Sequence, residues 1–194
     1  YVDAEVNEEL FTKLYGEGVV KDVADFRARV KEDIEKQLKN HSEYRFTIDA
    51  KEKFVKKNED VVLPEDFLKR WIVAVNENVK AEEVDRDFEA YRDEFKWHLV
   101  KGAIMKEYDV KVETEDMKVE ARNIAAAQLQ QYGLYGLTDE QLDGFAARLL
   151  EDEKQRHNLY ERALDNKVFT VIRENVKLEE QEISMADFEK LFQQ

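Results

Sequence analysis

The residue types that could carry chemistry are few and badly placed for it. The three histidines, His41, His98 and His157, lie far apart, each inside a long helical pattern. No His-Glu-x-x-His sequence brings two of them onto one helix face, as a helical zinc site would need. Asp85-Arg-Asp87-Phe-Glu89-Ala90 opens like a calcium loop. Ala90, however, stands where such a loop needs glycine for its sharp turn, and the segment runs inside a helical pattern. Gly16-Glu-Gly18 lacks the third glycine of a dinucleotide loop and follows a helix rather than a strand, so it reads as a helix stop and hinge. Acid pairs such as Glu82-Glu83 and Glu179-Glu180 are abundant. General acid–base work needs carboxylates in a water-poor cleft with displaced pKa values, whereas on charge-rich helices such pairs are solvated faces. No serine sits in a nucleophile elbow, and no Ser, His and Asp set suggests a triad. Asn40-His-Ser42 fits a glycosylation acceptor but has no secretory signal to give it meaning. The expectation is a chain with no catalytic, cofactor-binding or metal-binding residue, and hence no enzyme.

What remains is aromatic. The chain has 11 Phe, 8 Tyr and 2 Trp. Aromatics at helical spacing usually fill a core. An extended hairpin one helix thick has little core to offer, so some of them should stand at the surface and line a groove, where aromatics and Met give strong but adaptable contacts. The candidates are Trp71, Tyr91, Phe95, Trp97 and Met105 on a first hairpin, with Tyr132, Leu134 and Tyr135 at a glycine-broken turn. Packing against a neighbouring helix is the ordinary fate of each of these taken singly, and it is less plausible for the set.

These residues are held by a succession of helical patterns. Leu10, Phe11 and Leu14 make a one-sided stripe over Glu8 to Tyr15, ended by Gly16 and Gly18. Asp22 can cap the next helix, with Asp25 in its first turn. Phe26, Val30, Ile34, Leu38, Tyr44, Ile48 and Val55 then recur at helical intervals, loosest around His41. Unbroken from Val23 to Lys57, that helix would span roughly 50 Å. Asn58 to Pro64 is a connection, and Pro64 suits the first turn of a helix through Phe67, Leu68, Trp71, Ile72 and Val75 that ends near Asn78. Ala81 starts its hairpin partner. Tyr108 to Glu113 alternates apolar and polar residues, so it is extended, a short strand at most. Thr114 can cap a helix to Tyr132, and Thr138-Asp-Glu-Gln141 is a capping box opening one last long helix to Ile172. Val176 to Ile183 is extended, and Ser184-Met-Ala-Asp187 starts a short terminal helix.

Composition supports an extended, helical shape. One proline and six glycines leave few breaks, and charged residues at 39% far exceed the roughly 25% of an ordinary domain. Such a surplus needs surface. The net charge of −14 opposes contact with nucleic acid, where Lys and Arg on phosphates dominate affinity, and equally with anionic membranes. With no cysteine, disulfides, thiol catalysis and cysteine-ligated zinc are excluded. No segment approaches the ~20 apolar residues of a membrane span, and no opening stretch resembles a signal peptide. The chain begins at Tyr1 rather than Met, as expected of a fragment or processed product.

The order of motifs resembles one family, the C-terminal substrate-binding domain of bacterial trigger factor. Asn7 to Leu38, a short helix, a glycine hinge and a long Arg/Glu-rich helix, is similar to its start. Val61-Val-Leu-Pro-Glu-Asp-Phe-Leu68 resembles the approach to its first arm, and Trp97 to Glu107 with Val110 and Val112 resembles the end of that arm. Asn158 to Val168 resembles the end of the second arm, and Val176 to Leu191 the last extended piece and helix. Each motif is weak alone; their order over nearly the whole chain makes the likeness specific. The resemblance implies an all-α, elongated helical body with two protruding helical-hairpin arms. Residues 1–63 would be body with a long linking helix, 64–113 arm one, 114–176 arm two and 177–194 a return to the body. It implies an ATP-independent chaperone domain of the cytoplasm that cradles unfolded or nascent polypeptides, with no cofactor. Protein transport and cell division would be its cellular settings, and a homodimer is left open. The family's ribosome-docking loop, Gly-Phe-Arg-x-Gly, does not occur, so contact with the ribosome would need a missing N-terminal domain. Its sheet-rich prolyl isomerase module is missing as well. Periplasmic folding chaperones of similar helical fold stay open beside this reading. So does an elongated scaffold or adaptor with one dedicated protein partner.

Overall fold

The structure is a computed structural model that describes residues 5–76, 78–132, 134 and 138–192. Among these the chain forms eight helices and no strand: α1 (Glu8–Tyr15), α2 (Val23–Lys57), α3 (Glu65–Val75), α4 (Ala81–Glu107), α5 (Thr114–Gln131), α6 (Asp139–Glu151), α7 (Glu153–Asn175) and α8 (Met185–Lys190). The all-α expectation holds. None of these helices is long and apolar enough to cross a membrane.

Local chemistry sets most boundaries. The Asn7 side chain accepts from Leu10 N–H at 3.0 Å, and the Asp22 carboxylate from Asp25 N–H at 2.8 Å, so α1 and α2 each begin on a polar cap. Gly16, at φ 95°, and Gly18, at φ 72°, take positive-φ backbone that other residues resist, which is why α1 stops at Tyr15, just before them. α4 ends differently. Asp109 adopts φ 48° and Val110 N–H reaches back to Met105 O at 2.9 Å, a Schellman-type closure made with Asp in place of the usual Gly. Ser184 caps α8 through Asp187 N–H.

Four boundaries depart from the sequence reading. The helix expected to run unbroken from the capping box at Thr138 to Ile172 is two helices. Asp152 takes extended backbone (φ −73°, ψ 120°) and its carboxylate caps α7 by accepting from Gln155 N–H at 2.8 Å. Thr114 is the first residue of α5 rather than its cap. Glu113 precedes it, and the Asp116 carboxylate accepts from Glu113 N–H at 2.6 Å. Pro64 is the residue before α3, whose first turn begins at Glu65, and α3 ends at Val75, short of Asn78.

The largest core lies where α2, α4 and α7 meet. Ala50, Trp97, Leu164, Val168 and Ile172 are buried there, with Phe46, Phe54, Phe169 and Val110 packed around them. Trp97 stacks on Phe169, ring centroids 5.4 Å apart. Separate clusters hold α1 to the start of α2 (Phe11, Val20, Phe26), α3 to α4 (Ile72, Val84, Phe88), and α5, α6 and α7 together (Ala121, Ala146, Leu159). Dividing the apolar side chains among four small cores leaves much of the chain in water. The accessible surface is 15,462 Å², against about 9,600 Å² for a compact monomer of this mass.

Candidate functional site

α3 is apolar on two faces. Leu68 and Ile72 turn toward α4 and join its core. Phe67, Trp71 and Val75, at a spacing of four residues, form a second row one step round the helix. A two-helix hairpin can bury only one of these rows. The second stays in water: Phe67 is 55% exposed, Trp71 45% and Val75 53%. The Trp71 ring is steadied edge-on by Phe95 of α4, centroids 6.1 Å apart, so the row is held rather than loose.

A second apolar surface lies at the other end of α4. A groove of about 380 Å³ is lined by Phe54, Asn58 and Val61 on one side and by Leu99, Val100, Ala103 and Ile104 on the other. Leu99 of this lining is exposed, and Val62, the residue after Val61 in the chain, is 92% exposed. Lys96, also lining it, is buried and donates to Glu59 O at 2.6 Å, which ties the connection after α2 to α4 and fixes that wall. A third surface follows α5, where Tyr132 is 81% exposed and Leu134 also stands in water, and Phe145 of α6 is exposed as well.

The predicted residues are thus scattered. Trp71, Tyr132 and Leu134 are exposed, while Tyr91 and Phe95 are half-buried against the α3–α4 core. Met105 is half-buried in the α2–α4–α7 core. Trp97 corrects the expectation of a surface position: it is only 7% exposed, because the α2–α4–α7 junction is three helices thick where a two-helix hairpin was expected. Tyr135 lies outside the described residues, as do Gly133, Gly136 and Leu137 of the same turn. Phe67, Val75, Val62 and Leu99 were missed. The 67-71-75 spacing beside 68-72 could have found the first two.

Polar chemistry here is structural. His41, His98 and His157 are all exposed, on α2, α4 and α7. Among the described residues no group of three or more His, Asp or Glu is arranged to hold a metal ion. Two of the buried charges, Lys101 and Glu120, are clamps between helices. Lys101 of α4 donates to Asp165 at 2.9 Å and Glu161 at 3.3 Å, both on α7. Burial opposes its charge, but the two carboxylates outweigh burial and hold its pKa above the ordinary value. Glu120 of α5 accepts from Asn166 of α7 at 2.6 Å. A charged groove of about 520 Å³ between α2 and α7 has Arg173 lying over the Phe46 ring at 4.3 Å.

Fold and surface together define a class, an all-α domain whose large apolar side chains stand in water on several helices at once. Residues 42–192 match the family model described as "Probable trigger factor, C-terminal domain", and because that is well over half of the chain, the chain belongs to this family. The family's domain is of the chaperone type and is not catalytic. No curated protein and no solved structure matches the chain. The match leaves out residues 1–41, so the opening motif from Asn7 to Leu38 rests on its resemblance alone.

Proposed function

We propose that this domain holds unfolded or nascent polypeptides, without ATP, by engaging several separated apolar patches at once. The observation that carries the reading is the exposed row Phe67, Trp71 and Val75 on α3, repeated in kind at Val62 and Leu99 and at Tyr132 and Leu134, on a chain of net charge −14. Magnitudes favour many patches over one. Fully burying such a side chain is worth about 1.5–3 kcal/mol, so completing the burial of a half-exposed one contributes roughly 1 kcal/mol. A row of three then supplies about 3 kcal/mol, less than the ~4.1 kcal/mol of a millimolar Kd. One patch cannot retain a client. Several patches touched by one flexible chain can, because each later contact is intramolecular. The acidic surface keeps the loaded complex in solution by repulsion.

In this reading residues 1–63 serve as body and linking helix, 64–113 and 114–176 as the two arms, and 177–194 as the return. Trp71, Tyr91, Phe95, Met105, Tyr132, Leu134 and Tyr135 remain the client-binding pool, joined by Phe67, Val75, Val62 and Leu99. Trp97 joins them only if α4 and α7 part. The cytoplasm is the setting, and the ribosome would be reached through another part of the parent protein. Binding of labelled, permanently unfolded polypeptides of unrelated sequence tests this. They should bind without nucleotide and compete with one another; saturable binding of one folded protein alone would favour a dedicated adaptor.

A further inference from the structure

α2 carries two unequal loads. Its first two turns belong to the small cluster of Phe11, Val20 and Phe26, and its second half belongs to the α2–α4–α7 core. Between them the twelve residues from Lys31 to Ser42 are exposed without exception. Tyr15 of α1 reaches Asp33, and Glu43 pairs with Arg173 of α7, so the supported parts end at those two residues. Among the described residues none from Ile34 to Ser42 makes a side-chain hydrogen bond or ion pair to another helix; the Lys31–Glu35 pair lies within α2 itself. About 14 Å of helix, the nine residues from Ile34 to Ser42, therefore stands without tertiary support, a length at which isolated helices are marginal in water. Its last residues, Asn40, His41 and Ser42, are all weaker helix formers than the Gln, Leu and Lys before them.

We propose that α2 is a hinged strut. The helix opens transiently at Asn40–Ser42, and the unit formed by α1 and the start of α2 swings about that point relative to the α2–α4–α7 core. Supported helix on both sides restricts the motion to this one place. Packing and side-chain bonds to other helices are missing throughout Ile34–Ser42, and within that stretch helix propensity is lowest at Asn40–Ser42; local opening concentrates where buried apolar contacts are fewest. The hinge does not depend on what the exposed patches bind.

The absence of cysteine makes the test direct. Spin labels on Arg27→Cys and Lys53→Cys, both exposed positions on α2, would sit about 39 Å apart along a straight helix. The expected distance distribution is broad, with a component shorter than 39 Å. Asn40→Ala, His41→Ala and Ser42→Ala together should narrow it toward the straight-helix value. Amide exchange in the unlabelled chain should be at least about tenfold faster over residues 36–43 than over 48–55. A single narrow distance near 39 Å, or exchange over 36–43 as slow as over 48–55, overturns the proposal. A broad distribution that the triple alanine variant leaves unchanged overturns it too, because the motion would then pivot elsewhere.

Discussion

Lys101 of α4 and Asp165 of α7 meet at 2.9 Å, and the lysine is buried where the aspartate is only half so. The pair fastens two helices that also meet where Trp97 stacks on Phe169. Lys101→Met keeps the buried stem and removes the charge. Asp165 and Glu161 can then hydrate, so the cost should be about 1–2 kcal/mol rather than the 3–5 kcal/mol of a fully buried pair broken on one side. The folded pKa is raised, so the contribution is complete below the unfolded lysine value of about 10.4 and fades as pH rises through the folded value. Urea midpoints of the two proteins should differ by a constant amount from pH 6 to 9 and converge above that range. A difference already shrinking at neutral pH would contradict the pair's role.

Trp97 and Trp71 separate core from surface. Trp97→Ala removes a ring stacked on Phe169 inside the largest core and should cost about 3–5 kcal/mol. Phe67→Ser, Trp71→Ser and Val75→Ser together should cost far less in stability and weaken binding of unfolded polypeptide roughly three- to tenfold, a partial loss because other patches remain. Thermal midpoints and anisotropy titrations read the two effects. A collapse of stability in the triple variant would make the α3 row core.

Tyr15 donates to Asp33 at 2.6 Å, and this hydrogen bond, with burial and the aspartate's charge behind it, pushes the phenol up to about 12. The raised value means that the bond's contribution is whole below pH 10 and is lost between about 10 and 12. In alkaline absorbance titrations Asp33→Asn should bring the ionisation of Tyr15 down from about 12, read as the difference between the curves of the two proteins. Identical titration curves for the protein and Asp33→Asn would show that α1 is not pinned to α2 in solution.

Helix positions were legible wherever one local rule acted alone. Both limits of α1 and the start of α2 follow from Asn7, Asp22 and the two glycines, and the start of α6 follows from the Thr138–Gln141 box. The break at Asp152 was hidden because Leu149, Leu159 and Leu164 keep an approximate helical rhythm across it. Asp152 followed by Gln155 was the available signal, and it reads as a solvated pair unless a cap is sought. The burial of Trp97 was not legible. It depends on α7 folding back beside α2 and α4, a contact between residues some seventy positions apart. Exposure on α3 was legible for Trp71 and overlooked for Phe67 and Val75, because a helix with two adjacent apolar rows resembles a buried one until its single partner is known.

The central claim is that dispersed apolar patches hold unfolded chains of any sequence without ATP. Its most direct measurement is light scattering during dilution of several unrelated denatured proteins, with the domain at stoichiometric amounts and no nucleotide. The account predicts suppressed aggregation for every client, and partial loss of that suppression when the α3 row is replaced by serine. Aggregation of all clients at the rate seen without the domain would contradict it, as would complete protection of one client and none of the others.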